Sequence, residues 1–593
     1  MCGLIAFASA PGAEIDPAAL SRGLDKLMLR GPDAEGRWTD QGIWMGHRRL
    51  AIVDLDPRAD QPMHSECGRY VIIFNGEIYN YRSLREGLLA RGVKLKTEGD
   101  TEVILSLFAT EGEAMLTRLR GMFAFVIWDR VAQRAFAARD PYGIKPLYMS
   151  QTPTGVLFAS QVRAITATGL VSREPCARGQ AGFWMLGSVP EPHTWFRDVR
   201  AVEAGHCVWV EAGRIGTSRR WWDVAQDWRN VEPVTISAEE ISERVQGALR
   251  TSVEAHLVAD VPVGVFLSGG IDSGALAGMM VEAGARNLQG VTIAYDEFAG
   301  RNEDEAPAAA ALAAHYGINH HIRRVTGAEF ASDLPAMLAA MDQPSIDGVN
   351  SWYATKAVAE FGLKVVVSGV GGDELFQGYS SFQQLPRLVS GWRLLSKLPG
   401  AVPLVQAACN MQARRTGNER WRHLPEWAGG MPGAWWLRRS VHSPQELSAL
   451  MGAELAQEAL QGFSADSWVH AMSGEQPPDL RLALSQIEST TYLRNQLLRD
   501  SDWASMDHSV ELRTPLVDAW LLREVRPFLA AFDRFPNKRL LAEAPRKALP
   551  EALITRKKTG FGIPVNQWLR QMHAPESAGK HAFAKFVQRS YTG

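Results

Sequence analysis

The chain is 593 residues long, too long for one hydrophobic core, so about two to four domains are expected. An apolar fraction of 46%, a charged fraction of 22% and a formal net charge of −2 exclude a disordered chain and a polycation that coats nucleic acid. The five cysteines, Cys2, Cys67, Cys176, Cys207 and Cys409, are scattered without a CxxC, which excludes a disulfide framework and a cysteine-rich zinc site and suits a reducing cytoplasm.

The chain opens MCGLIAFASA. A cysteine directly after the initiator methionine is ambiguous, because cysteine serves as a small buried hydrophobe more often than as a nucleophile. LIAFASA imitates a signal-peptide core, but no Lys or Arg precedes it and the apolar run is short, so export is not expected. No uninterrupted apolar stretch reaches the roughly 18 residues that cross a bilayer, and the one near 398–408 carries prolines. Up to about residue 215, short β-like runs at 70–74 (YVIIF), 123–128 (FAFVIW) and 155–159 (GVLFA) alternate with helical patterns at 81–91 and 101–111. This part reads as stacked sheets with helices.

A polar stretch, WRNVEPVTISAEE at 228–240, reads as a linker, and Ser237 with Glu240 has the S-x-x-E form that opens a helix. Behind it Ile241, Val245, Leu249, Val253 and Leu257 recur every four residues, one apolar stripe on a helix of about five turns. The predicted organisation is a first domain over 1–215, a linker over 216–240 and a second domain over 241–593. From Val261 the pattern becomes strand, turn, helix: VPVGVFL, a helix at 274–283, a strand at 290–295, a helix at 304–316, and strands at 320–325 and 364–370. Such alternation predicts a parallel sheet with helices on its faces and a ligand site beyond the carboxyl ends of the strands. From about Phe382 the chain is helix-rich, and its tryptophans read as core.

Two turns at predicted strand ends carry chemistry. VGVFL runs into SGGIDS, Ser268 to Ser273, and then a helix; glycines there admit an anion to backbone N–H groups at a helix N-terminus. No Walker lysine is present, so this is not the usual NTPase loop, and Asp272 is placed to carry magnesium with the phosphates of a nucleotide. The second turn lies in VVVSGVGGDELFQGY at 365–379, where Ser368 and Gly369 leave room for a ligand and Asp373 and Glu374 offer oxygens to a hard cation.

Taken in order, MCG, RGPD (30–33), HRRLAIVD (47–54), FNGEIYN (74–80), GDTEVIL (99–105), RDPYGIKPLY (139–148), DVPVGVFLSGGIDS (260–273), SGVGGDELFQGY (368–379), SMDHSVELRTPLVD (505–518) and RKKTGFGIP (556–564) resemble the glutamine-hydrolysing asparagine synthetases. The resemblance implies a two-domain α/β and α+β protein. A four-layer αββα N-terminal nucleophile glutaminase is joined to a doubly wound parallel-sheet ATP-pyrophosphatase domain with a helical extension. It implies that the Cys2 thiol attacks the glutamine amide, with its own α-amine as base once Met1 is removed, and that Asn75 and the Gly76 N–H hold the oxyanion. Arg49, Asp100 and Glu77 would clamp the two charged ends of glutamine, with Leu50, Ile52 and Val53 beside them. In the second domain Ser268, Gly269, Gly270, Asp272, Ser273, Ser368 and Gly369 would hold ATP, with Leu267 and Ile293 near the adenine. Asp272 and Asp373 would share Mg2+, and Lys558 would neutralise pyrophosphate. Ammonia would pass to an acyl-adenylate through a shielded channel.

Three positions depart from the family pattern: Val370 between SG and GGDE, Gln161 in FASQVRAI, and Ala294 after Ile293. They leave the glutaminase and ATP chemistry in place and bear on the acceptor. Aspartate ranks first, another carboxylate such as a sugar uronate second, and ring closure of the β-lactam or lasso type third, because ring-closing relatives lack the cysteine. The expected partners are therefore glutamine, ATP and a carboxylate, with no nucleic acid and no membrane; a homodimer is compatible with the family.

Overall fold

The computed structural model describes residues 2–231, 236–285, 287–556, 562–572 and 580–592. In its N-terminal part the first strand, Gly3–Ser9, runs antiparallel between Ile43–Arg49 and Gly155–Ala159 in a six-stranded sheet. A seven-stranded sheet is built around Tyr70–Ile78 and Gly121–Asp129. Strand side chains alternate between faces. Leu4, Ala6 and Ala8 of the first sheet therefore meet Val71, Ile73, Ala124 and Val126 of the second. Ile5 and Phe7 turn outward to Leu20, Leu24 and Ile165 of a helical layer, and Ile72 and Phe74 turn to Val103, Ile104 and Leu107 of another. The result is helix, sheet, sheet, helix. Because both faces of each sheet are covered, these strands read as apolar runs rather than as alternation. Each buried Leu, Ile, Val or Phe among them contributes about 2 kcal/mol by leaving water, and truncating Phe7 to Ala would cost about 3–5 kcal/mol.

The capping signal at Ser237 is realised: its Oγ accepts the Glu240 N–H at 3.1 Å and opens the helix Ala238–His256. Ile241, Val245, Leu249 and Val253 of its stripe are buried. This helix covers a five-stranded, wholly parallel sheet in the order Asn319–Val325, Gln289–Tyr295, Val263–Phe266, Val365–Val367, Glu511–Arg513. Val265 and Val367 face the helices Ala238–His256 and Ile271–Glu282, whereas Val291, Val366 and Leu512 face Val349–Glu360, so helices lie on both sides. Strand order reverses between Val263–Phe266 and Val365–Val367, which opens a crevice at their carboxyl ends. The two glycine turns both emerge there. The fifth strand has no sequence signature; three residues, ELR, become a strand only by pairing with Val365–Val367.

The helical extension buries Trp435, Trp436 and Trp468 in one core, as their reading predicts. Within it Leu480–Glu488 and Arg499–Met506 are joined through a π-helical stretch, Ser489–Leu498, a form concentrated at functional sites. That stretch abuts the N-terminal domain: Arg494 Nε donates to the Tyr142 carbonyl at 3.2 Å, and the Glu191 N–H to Asn495 Oδ1 at 3.1 Å.

Candidate active site

The glutaminase side is assembled from strand ends. Cys2 leads the first strand and is buried, and its N–H donates to Asn75 Oδ1 at 2.9 Å. That bond fixes the Asn75 amide, whose Nδ2 is left buried without an acceptor. A buried donor with no partner is costly unless something occupies its place, which suits a developing oxyanion. The neighbouring Gly76 has φ +151°, and a Cβ there would lie 2.1 Å from the Met122 carbonyl oxygen, so no other residue fits. Burial pushes the Cys2 thiol above its ordinary value, against the Leu50 N–H and the Arg49 guanidinium, which favour the thiolate. The resting group is therefore a thiol that needs a base.

Cys2, Arg49, Leu50, Ile52, Val53, Gly76, Glu77 and Asp100 all line one pocket, closed further by Gln61 and Thr101. Arg49 Nη1 donates to Asp60 Oδ1 at 2.7 Å and its Nη2 to the Asp54 carbonyl, which ties it to the loop that follows. Asp100 Oδ2 accepts the Ile78 N–H at 2.9 Å. Burial nevertheless raises its pKa to about 6, and burial with Glu511 and Asp100 nearby raises Glu77 well above the carboxylate range. Two reluctant carboxylates and a guanidinium lining one pocket match the ammonium and carboxylate of an amino acid.

At the crevice of the parallel sheet, Ser268 Oγ lies 3.0 Å from Ser273 Oγ, and Gly269 takes φ +68°. The second loop closes on the first: a Cβ on Gly369 would lie 2.8 Å from Asp272 Cβ, and one on Gly372 2.6 Å from Asp272 Oδ1. Ser368 and Gly369 are thus brought beside the SGG turn. Leu267 is buried with its side chain against Gly290, its N–H donating to the Val291 carbonyl at 3.0 Å, and Ile293 is buried in the helical-domain core. Lys558 lies outside the described residues.

The residue that sequence reasoning missed is Lys538. Its Nζ lies 2.6 and 2.7 Å from the two Asp272 carboxylate oxygens and 2.5 Å from Asp373 Oδ1. Burial opposes its charge, but Asp272 and Asp373 outweigh that and hold the ammonium above the usual lysine range. Asn537 and Lys538 both have left-handed backbone, with φ +57° and +55°. Such strain persists where a side chain must be aimed. Two carboxylates sharing one cation are a hard-oxygen donor pair of the kind that takes Mg2+ with phosphates. Glu374 does not join them: it is buried, its Oε1 accepts the Tyr379 hydroxyl at 2.8 Å, and burial with Asp373 beside it raises its pKa to about 7.

The two sites meet at one interface. Arg30, fully buried, donates from Nε to the Cys2 carbonyl at 3.0 Å and from Nη1 and Nη2 to the Asp502 carboxylate at 2.7 and 3.1 Å. Beside Asp502 a cavity runs between Gly143, Ile144, Ser160 and Gln161 of the N-terminal domain and Asp342, Arg499 and Trp503 of the second. Neither Arg30 nor Asp502 carries a local signal, although RGPD stands out as a motif.

Residues 1–222 match the glutamine amidotransferase domain family, and residues 244–585 match the asparagine synthase family. A putative glutamine-hydrolysing asparagine synthetase of Mycobacterium tuberculosis is 33% identical over 96% of this chain and 88% of its own length. Glutamine-hydrolysing asparagine synthetase 1 of Bacillus subtilis is 29% identical over the same shares. Amidase chry2 of Gibberella zeae is 32% identical over 65% of this chain and 60% of its own. A pocket lined by Cys2, a crevice with paired aspartates and the span of these matches agree: the chain belongs to the glutamine-hydrolysing asparagine synthetase family, carbon–nitrogen ligases that take their amide nitrogen from glutamine.

Proposed function

We propose that the protein transfers the amide nitrogen of glutamine to the carboxylate of aspartate, using ATP. The observation that carries this reading is Arg30, which grips the backbone of the nucleophile with one edge and a synthetase-domain carboxylate with the other. Release and use of ammonia are then functions of one rigid assembly. Residues 1–215 would hydrolyse glutamine, 241–593 would activate the acceptor, and 216–240 would join them.

In the first half-reaction the free α-amine of Cys2, after loss of Met1, takes the thiol proton. The thiolate attacks the amide carbon while Asn75 Nδ2 and the Gly76 N–H receive the oxyanion. Collapse expels ammonia, and water releases glutamate from the thioester. In the second, the acceptor carboxylate attacks the α-phosphorus of ATP, pyrophosphate leaves, and ammonia displaces AMP from the acyl-adenylate. Ser268, Gly269, Gly270, Ser273, Ser368 and Gly369 would hold the phosphates, Leu267 and Ile293 would border the base, and Lys538 and Lys558 would meet departing charge. Asp272 and Asp373 would hold Mg2+, which supplies charge neutralisation at the phosphates. Ammonia would pass through the cavity beside Asp502. The five free cysteines support a reducing, cytoplasmic setting, and among the described residues no helix is long and apolar enough to cross a membrane.

Val370 supports a second reading, amidation of a different carboxylate, because a branched apolar side chain packed against the core stands where the family pattern has an acidic or small residue. Pyrophosphate release from ATP, measured across aspartate, other small dicarboxylates and sugar uronates, tests both. Aspartate should stimulate release above the acceptor-free rate. No stimulation by aspartate, with stimulation by another carboxylate, would overturn the first reading in favour of the second.

A further inference from the structure

The surface of this protein is ordinary except in one place. Of the fifteen large apolar side chains that stand exposed among the described residues, seven fall between 394 and 421. They belong to the helix Ser381–Leu395, the turn after it, and the helices Ala401–Thr416 and Arg420–Trp427. Residues 393–400, RLLSKLPG, are exposed without exception, so this turn projects as a tip carrying three leucines.

The helix behind the tip, Ala401–Thr416, is apolar on two faces. Leu404, Ala407, Ala408 and Met411 recur at helical spacing on the solvent face, with Leu404 73% and Met411 61% exposed. Ala401, Val405, Cys409 and Ala413 form the inward row, and the partly buried Gln406 donates from Nε2 to Asn410 Oδ1 at 3.2 Å and to the Arg422 carbonyl at 3.0 Å. A surface helix in water puts its apolar stripe inward and its amides outward. Here a second apolar row, Leu404 to Met411, stands outside the inward one, as for a helix whose outer face is not in water.

Charge identifies the occupant. The chain as a whole carries a net charge of −2, yet residues 381–427 hold seven arginines and lysines against two acids, Glu419 and Glu426. Arg393, Lys397, Arg414 and Arg415 frame the leucines, and Lys397, Arg414 and Arg415 make no ion pair among the described residues. Trp421, unlike the tryptophans of the helical core, is exposed beside them. We propose that this face docks on an anionic phospholipid surface, its leucines entering the acyl boundary and its cations lying among the headgroups. A second copy of the chain would set the same basic surface against itself, and a protein partner engages through pockets that an all-exposed tip does not offer. The expectation of no membrane partner rested on the lack of a spanning stretch, which does not bear on a helix lying at the surface.

Flotation of the full chain with phosphatidylcholine vesicles, with or without roughly 30% phosphatidylglycerol, tests this. The protein should float with the anionic vesicles, remain below with the neutral ones, and detach as salt is raised. Leu398→Glu with Leu404→Glu should weaken binding by at least about tenfold. Arg414→Gln with Arg415→Gln should weaken it by about fivefold for each charge removed. Both variants should hydrolyse glutamine at the wild-type rate, which shows that they are folded. Wild-type protein that does not float at low salt, or flotation undiminished by the leucine changes, would overturn the proposal. So would a dimer in light scattering that Leu404→Glu splits, because a second copy would then cover the face.

Discussion

The Asn75 amide has two jobs in this structure, and two substitutions separate them. Asn75→Ala removes both the acceptor for the Cys2 N–H and the unpaired Nδ2 donor. Loss of one oxyanion donor lowers kcat by about 10²–10³, or about 3–4 kcal/mol. Asn75→Asp is nearly isosteric and keeps the acceptor, but it sets a carboxylate about 3 Å from the developing oxyanion. At an effective dielectric near 20 that repulsion is about 5 kcal/mol, so the ionised variant should be slower than the alanine one. The position is fully buried, which favours the neutral acid. Protonation turns the new group back into a donor, so the activity of Asn75→Asp relative to wild type should rise as the pH falls, whereas that of Asn75→Ala should stay flat. Glutamate release at saturating glutamine, followed across pH, measures both ratios. An Asn75→Ala enzyme within about threefold of wild type, or two ratios that run parallel with pH, would refute the oxyanion assignment.

Three further outcomes follow from the same geometry. Lys538→Met should abolish acceptor-dependent pyrophosphate release while leaving glutamate release unchanged; loss of glutamate release as well would mean that Lys538 supports the fold rather than the crevice. The KM for glutamine should rise as the pH falls through about 6, because the substrate ammonium would pair with ionised Asp100, whose pKa burial raises to about 6 in the free pocket. A KM constant between about pH 5 and 8 would place the ammonium elsewhere. Asp502→Ala leaves the buried Arg30 guanidinium without its counter-charge and should destabilise the protein by about 3–5 kcal/mol in denaturant melts. Asp502→Asn, which keeps one acceptor, should lose less.

The layers of the fold were legible because their causes are local. Apolar runs at 70–74 and 123–128 mark strands covered on both faces, the stripe from Ile241 to Val253 marks a helix, and glycine turns after strands mark the crevice. Cys2 was legible only in company with Arg49, Asn75 and Asp100, which the fold gathers from separate strands and helix starts. What escaped has no local cause. Lys538 sits in FPNKRLL, and its one sequence cue is the asparagine before it, a residue tolerant of left-handed backbone. Arg30 with Asp502, and Arg120 with Asp518, are charge pairs separated by hundreds of residues, and no periodicity encodes a partner at that distance. Glu374 misled because GGDE offers two adjacent carboxylates, yet neighbours on a helical turn point different ways, and only Asp373 turns toward Asp272 and Lys538.

The strand without a sequence signature is also the one that touches both sites. Arg513 is fully buried; its Nε donates to Glu511 at 2.6 Å and its Nη1 to the carbonyls of His256 and Val258 at 2.8 and 2.7 Å. Its Nη2 makes no hydrogen bond among the described residues and faces Glu77 Oε1, in the wall of the Cys2 pocket, at 3.7 Å. The carbonyl of the same residue accepts the Ser368 N–H at 2.8 Å, where the second phosphate-side loop begins. At 3.7 Å and an effective dielectric near 20, the attraction between Arg513 and an ionised Glu77 is about 4 kcal/mol. That is comparable to the cost of leaving either charge alone in the interior. Arg513 is thus what opposes burial, Glu511 and Asp100 at Glu77, whose pKa nevertheless stays well above the carboxylate range. It can do so only from the position that its strand's pairing with Val365–Val367 imposes, which is the pairing that also sets the Ser368 loop. The charge state of the Cys2 pocket and the placement of the Ser368 loop therefore depend on the same three residues of backbone.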